Sequence, residues 1–149
     1  MRALERAAQG LTCSTAVHIC YGYGIEANLA WKNTLGEQWR QYEQVFPALA
    51  ASCIGQVSLE CYHARVPLEL MQLLQGKDVL VGVIDVASDV VETPQQVADT
   101  IGRALQFVAR ERLFPCTNCG LAPMDRQTAL HKLDALVRGT ALARTAFGA

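Results

Sequence analysis

The 149-residue sequence lacks several features that assign a protein to a class quickly. Its 13 basic and 14 acidic residues leave a net charge of −1 and form no runs. This balance excludes a strongly basic surface of the kind that binds nucleic acid. No apolar run reaches the roughly 18 residues that a membrane helix needs. Low-complexity tracts, internal repeats and linkers are absent too, so we expect a single domain over residues 1–149.

The first ten residues, MRALERAAQG, lack the apolar segment of a secretion signal and are typical of an amphipathic helix end. We therefore expect a cytoplasmic protein that partners neither nucleic acid nor membrane. What the chain does have is cysteine, at positions 13, 20, 53, 61, 116 and 119. In a small secreted protein six cysteines would predict disulfides, whereas in the cytoplasm they favour metal binding or plain burial.

Hydrophobic periodicity predicts helices and strands in regular alternation. The clearest strand is DVLVGVID (78–85), an apolar and β-branched run that predicts burial on both faces. Thr93-Pro94 is a typical helix start, with threonine as N-cap. The predicted strands are 15–21, 55–61, 78–85 and 113–117, and the predicted helices are 2–9, 25–51 with a break near Gly36, 66–75, 94–111 and 125–145. This order predicts an α/β fold, (βα)4, with parallel strands and outer helices.

Polar, chemically active side chains cluster at the carboxyl ends of these predicted strands. The stretch VHICYGYG (17–24) places His18 and Cys20 on one face, because side chains two apart in a strand point the same way. Other candidates end or follow the later strands: Glu60, Cys61, His63, Asp85, Cys116 and Cys119. Parallel α/β folds place their chemistry at this edge. A core histidine beside a core cysteine is the plainer alternative for His18 and Cys20.

Three chemistries fit these residues. Gly22-x-Gly24-x-x-Ala27 resembles a dinucleotide-binding turn, but no acidic residue ends a strand about 20 residues later. Cys116-Thr-Asn-Cys119 could be a redox dithiol, although no helix opens at its first cysteine.

The third chemistry is a mononuclear zinc site. Imidazole, thiolate and carboxylate are the ligands that zinc takes, usually four in a tetrahedron. His18, Cys20, Glu60 and Cys119 would supply such a set from different strand ends, which requires a curved sheet. By spacing alone, the zinc site is one of three open possibilities, beside the dinucleotide-binding turn and the redox dithiol.

The order of the motifs is similar to the cobalamin-independent methionine synthase family, in its C-terminal catalytic barrel and especially its short "core" members. HICYG resembles the motif with the first two zinc ligands, VSLE the strand ending in the glutamate ligand, and VGVIDVAS the segment that reads Asp-Ile-His-Ser in typical members. TNCGL resembles the Pro-Asp-Cys-Gly-Leu motif that carries the last ligand. The likeness extends from about residue 16 to 144.

This resemblance implies a zinc-dependent methyltransferase that makes methionine from homocysteine. The methyl donor would be 5-methyltetrahydrofolate or a methylcobamide. It implies His18, Cys20, Glu60 and Cys119 as zinc ligands, Asp85 as a catalytic residue, and Glu60 and Asp85 as substrate-binding residues. Two thiolates and a carboxylate would leave the zinc site with net charge about −1, which keeps a bound sulfur nucleophilic. A related cobamide-dependent thiol methyltransferase is the alternative enzyme, and VSLE, with its glutamate, favours methionine synthase.

Three departures accompany the resemblance. Ala87 stands where typical members have a histidine linked to proton handling. The segment between Cys20 and Glu60 is longer than usual, and 25–51 is predicted to be a helical insertion that forms a lid, a partner surface or a solvated excursion. Cys61, His63 and Cys116 lie beside ligand positions, where we expect them to be neighbours rather than alternative ligands.

Length is the largest departure, because a (β/α)8 barrel takes about 200–250 residues. Four βα units make half of a TIM-type barrel, here its second half. We therefore expect a second half-barrel chain or a homodimer partner. A zinc-binding half-barrel without activity of its own is the non-enzyme alternative.

Overall fold

The computed structural model describes residues 1–22, 25–62 and 65–148. One sheet of four parallel strands, in the order β1-β2-β3-β4, forms its centre. The strands are β1 Ala16–Ile19, β2 Gln56–Glu60, β3 Asp78–Ile84 and β4 Leu113–Thr117. The α-helices are α1 Arg2–Ala8, α2 Glu26–Lys32, α3 Tyr42–Ala50, α4 Pro94–Ala104 and α5 Arg126–Phe147. The predicted α/β class with parallel strands is confirmed.

The core lies against β2 and β3, the two central strands. Val57, Val81 and Val83 are fully buried, since helices or neighbouring strands cover them on every side. Helix α3 contributes Phe46, and α4 contributes Val97. Because the strands are parallel, their carboxyl ends lie together along one side of the sheet, called the carboxyl edge below.

Helices α4 and α5 begin within one residue of the positions that the sequence predicts. Thr93 caps α4 in a complete capping box with Gln96, in which each side chain bonds the other residue's backbone N–H. Asp125 caps α5 by accepting from the backbone N–H groups of Gln127 and Thr128.

Several element boundaries differ from the sequence-based prediction. The helical region expected at 25–51 is two helices, α2 and α3, and Gly36 between them has a φ of +74° that few other residues adopt. The helix expected at 66–75 is a 3₁₀ helix, Leu68–Leu74, which Gly76 follows with a φ of +80°. Helix α4 ends at Ala104 rather than near 111: the chain continues as turns over 105–108 and is extended at Ala109 before a short 3₁₀ helix, Arg110–Arg112. None of the described helices is long and apolar enough to cross a membrane.

Candidate functional site

Three of the four predicted ligands meet at the carboxyl edge of the sheet. The ligand atoms of His18, Cys20 and Cys119 all lie within 4.8 Å of one another. His18 belongs to β1, Cys20 directly follows β1, and Cys119 follows β4. Strands β1 and β4 are the two outer strands of the sheet, so its curvature is what brings these residues together.

The imidazole of His18 is held by a neighbouring strand. Its Nδ1 lies 3.0 Å from the hydroxyl oxygen of Ser58, the residue paired with His18 in the parallel register of β1 and β2. Metal-binding histidines generally use their second ring nitrogen for such a bond, which fixes the ring's orientation. The contact leaves Nε2 as the nitrogen for a ligand.

Glu60 ends β2 and is 4% exposed. Its carboxylate lies outside the group of three, yet its charge reaches Cys20. Partial burial raises the pKa of the Cys20 thiol, and the charges of Glu60 and Cys119 raise it further. These acidic groups repel one another, so a cation among them would stabilise all of them.

Aromatic side chains lie behind the first two candidate ligands. Tyr21, next to Cys20, has its ring centroid 5.6 Å from that of Trp31, 4.8 Å from that of Trp39 and 5.1 Å from that of Tyr42. Burial raises the pKa of Tyr21, and the charge of Glu60 adds to it. The 25–51 segment therefore packs its aromatic residues against the site instead of forming a wholly solvated excursion.

Asp85 follows β3 and is held by a buried ion pair. Its backbone N–H donates to Glu92 Oε1 at 2.8 Å, and Glu92 in turn accepts from Lys132 Nζ at 3.0 and 3.2 Å. Both side chains of the pair are buried, with 0% of Lys132 and 2% of Glu92 exposed. The Asp85 carboxylate accepts from the backbone N–H of Ala87 at 2.9 Å. The segment after β3 is therefore anchored to α5.

The cysteines beside the ligand positions have other surroundings. Cys61 is buried, its thiol lies 3.6 Å from the carbonyl oxygen of Leu59, and burial raises its pKa strongly. Cys116 lies 4.0 Å from the Ser58 hydroxyl, and burial raises its pKa to about 11. Among the described residues, neither belongs to the group formed by His18, Cys20 and Cys119. His63 lies outside the described residues, so its role as a bystander stays a prediction.

The redox and dinucleotide alternatives gain no support from this geometry. A reactive dithiol needs a lowered thiol pKa, usually at a helix N-terminus. The pKa of Cys116 is raised instead, and the next helix begins only at Arg126. Gly22 does turn the chain with a φ of +77°, whereas Gly24 lies outside the described residues. The region about 20 residues later is α3, not a strand end with an acidic residue.

The donor set fits zinc. Bonds of about 2.0–2.3 Å place the ligands of a tetrahedral zinc ion about 3.3–3.8 Å apart. The observed spread of up to 4.8 Å needs only a small inward rotation of the side chains. One imidazole and two thiolates are ligands that zinc prefers, and the carboxylate of Glu60, whose charge acts on Cys20, is of a type that could complete the set.

Comparison with known proteins identifies the family. The model of the cobalamin-independent synthase catalytic domain matches residues 42–141. The chain belongs to this family. A solved B12-independent methionine synthase from Shewanella sp. W3-18-1, in complex with selenomethionine, is 55% identical with a TM-score of 0.92. The match covers 98% of this chain and 43% of that one, which confirms the prediction of half a TIM-type barrel.

Curated relatives of the family are more distant. A methionine synthase of Saccharolobus islandicus (strain Y.G.57.14 / Yellowstone #1) is 29% identical over 147 residues, and one of Thermococcus kodakarensis is 26% identical over 145. The chain spans about two fifths of the length of these relatives, 39% and 38%, while 97% of it is covered.

Four residues around the site were not anticipated from the sequence: Ser58, Glu92, Asn118 and Lys132. A signal existed for Lys132, because it shares a helix face with Ala135, Gly139 and Ala143, which are small and buried. A lysine on such a face predicts a buried partner. Ser58 and Asn118 gave no comparable signal, since their contacts depend on which strands are neighbours.

Proposed function

We propose that the chain is the zinc-bearing part of a methionine-synthase-type methyltransferase. It would transfer a methyl group from 5-methyltetrahydrofolate or a methylcobamide to the thiolate of homocysteine. The observation that carries this proposal is the convergence of His18, Cys20 and Cys119 at the strand ends, where the charge of the Glu60 carboxylate acts on Cys20. A cytoplasmic location stays a prediction from the sequence.

His18, Cys20 and Cys119 would hold zinc, and Glu60 would complete the set. When bound, zinc lowers the pKa of a thiol that joins it, so homocysteine would react as a thiolate. In the transfer, a carbon–sulfur bond forms while the bond from the methyl carbon to its donor breaks. A carboxylate is the hardest ligand of the four, so Glu60 is the one that would yield its place to an incoming sulfur.

Asp85 would orient the substrate. It is 8% exposed at the end of β3, and the Glu92–Lys132 pair fixes its backbone. A carboxylate in this position can bind the ammonium group of an amino acid. The Shewanella relative was solved with selenomethionine, the selenium analogue of the expected product, which supports an amino-acid site in this family. Ala87 is exposed and carries no group that moves a proton, so proton transfer to the donor would come from elsewhere.

Metal analysis of the freshly purified chain tests the zinc site. We expect about one zinc ion per chain. The double variant Cys20→Ser/Cys119→Ser should lose it, because two of the charged ligands are removed. Cys13→Ser is the matched control, since this exposed thiol precedes β1, at the opposite end of that strand from Cys20. Equal zinc in the wild type and the double variant would contradict the proposal.

A further inference from the structure

Asn118 joins the ends of two strands that are not neighbours. It follows β4 and is 1% exposed. Its amide nitrogen donates to the carbonyl oxygen of Tyr62 at 2.7 Å. Its amide oxygen accepts from the backbone N–H groups of Cys61 at 3.2 Å and Tyr62 at 3.3 Å. The side chain is therefore bonded to the segment that directly follows β2.

The side chain reaches β2 by crossing over β3. The crossing point is Gly82, where an added Cβ would lie 2.4 Å from the Asn118 amide oxygen. A shift in the pairing of β3 with β4 occurs at the same place, between Gly82 and Ile84. Such irregularities redirect a side chain near the end of a strand. The backbone N–H of Asn118 completes the connection by donating to Ile84 at 2.8 Å.

Two proposed ligands adjoin this connection. Cys119 is the next residue after Asn118, and Glu60 directly precedes Cys61. We infer that Asn118 is a positioning residue that fixes the spacing between the Glu60 and Cys119 ligands. The inference rests on the proposed function, because it assumes that both residues bind zinc.

An amide is the group that this position requires. The Tyr62 backbone presents a donor and an acceptor, and the Asn118 amide bonds both at once, because its N–H and its C=O are separate groups. The N–H groups of Cys61 and Tyr62 have a second partner in the carbonyl of Gly82. Loss of the amide would therefore weaken the connection between the strand ends without removing every bond of the turn.

Zinc affinity of Asn118→Leu, measured on the full chain by competition with a chromophoric chelator, tests the inference. Leucine has a similar size and forms none of the three bonds. We expect about 10- to 100-fold weaker zinc binding, the effect usual for residues that orient metal ligands. The cobalt-substituted variant should also show a weakened thiolate charge-transfer band, because Cys119 is no longer held in place.

Thr100→Val is the matched control. Thr100 is 1% exposed in α4, and its hydroxyl donates to the Gln96 carbonyl, away from the strand ends. This variant loses a buried hydrogen bond yet should bind zinc and cobalt as the wild type does. Unchanged zinc affinity in Asn118→Leu, or equal weakening in Thr100→Val, would overturn the role of Asn118 alone. A wild-type chain that binds no zinc would overturn the proposed function, and this inference with it.

Discussion

At the residue scale, Cys116 and Cys119 are separated by two residues but have different surroundings. The Cys119 sulfur belongs to the group with His18 and Cys20, whereas Cys116 contacts the Ser58 hydroxyl. We expect Cys116→Ser to keep its zinc and Cys119→Ser to lose most of it, because only Cys119 supplies a ligand. Zinc per chain after dialysis measures both. The reverse result would mean that the ligand is misassigned within CTNCG.

The raised pKa of Cys116 gives a second prediction at this scale. Burial holds the pKa near 11, against about 8.5 for a free thiol, so at pH 8 only about one thiol in a thousand is ionised. In metal-free protein, iodoacetamide should modify the exposed Cys13 well before Cys116. The rate at Cys116 should rise as the pH approaches 11, because the thiolate is the reactive form. Mass spectrometry of the labelled peptides decides it, and equal rates at pH 8 would contradict the prediction.

At the scale of elements, the Lys132–Glu92 pair joins α5 to the segment after β3. Lys132→Met leaves a buried carboxylate without its cation, which should lower the free energy of unfolding by about 3–5 kcal/mol. Adding Glu92→Gln should recover part of that loss, because the amide oxygen still accepts from Asp85 without a buried charge. Urea unfolding followed by circular dichroism measures both variants.

Arg138→Ala is the control for this pair. Arg138 and Asp134 form an ion pair on the same helix with 68% and 64% of their side chains exposed. Such surface pairs contribute about 0–1 kcal/mol, so this variant should unfold nearly as the wild type does. If Lys132→Met cost no more than Arg138→Ala, the pair would not anchor α5.

Elements that depend on local sequence were predictable, and contacts between elements were not. The β-branched run of β3 and the Thr93 cap of α4 are both local signals, and both were found in the structure. The 3₁₀ helix at Leu68–Leu74 was predicted only as a helix over 66–75, because short 3₁₀ and α-helices have similar apolar patterns. Ser58 meets His18 only through the register of β1 and β2, which the sequence does not state. The candidate ligand residues were chosen through the family's motifs, because spacing alone left three chemistries open.

At the scale of the whole molecule, the sheet has two outer strands. β1 and β4 each pair with one strand among the described residues. Each outer strand therefore has one side on which its backbone N–H and C=O groups meet no described strand. Helix α5 adds an apolar face, on which Leu130, Leu133 and Val137 are 50%, 41% and 68% exposed. Their spacing of three and four residues places them in one stripe along the helix. Closure of a barrel removes such edges and covers such a stripe.

We therefore expect the chain on its own to self-associate and to lack homocysteine methylation. The relatives are more than twice as long as the matched part, and this chain covers only 43% of the Shewanella structure. A chain carrying the remaining βα units should convert the self-associated species into a defined complex, because its strands satisfy both edges. It should also add the part of the substrate site that four units do not supply. Analytical ultracentrifugation at micromolar concentration, with a methylation assay on the same sample, measures both effects. A stable monomer that makes methionine unaided would show that four βα units suffice, and that the open edges need no partner.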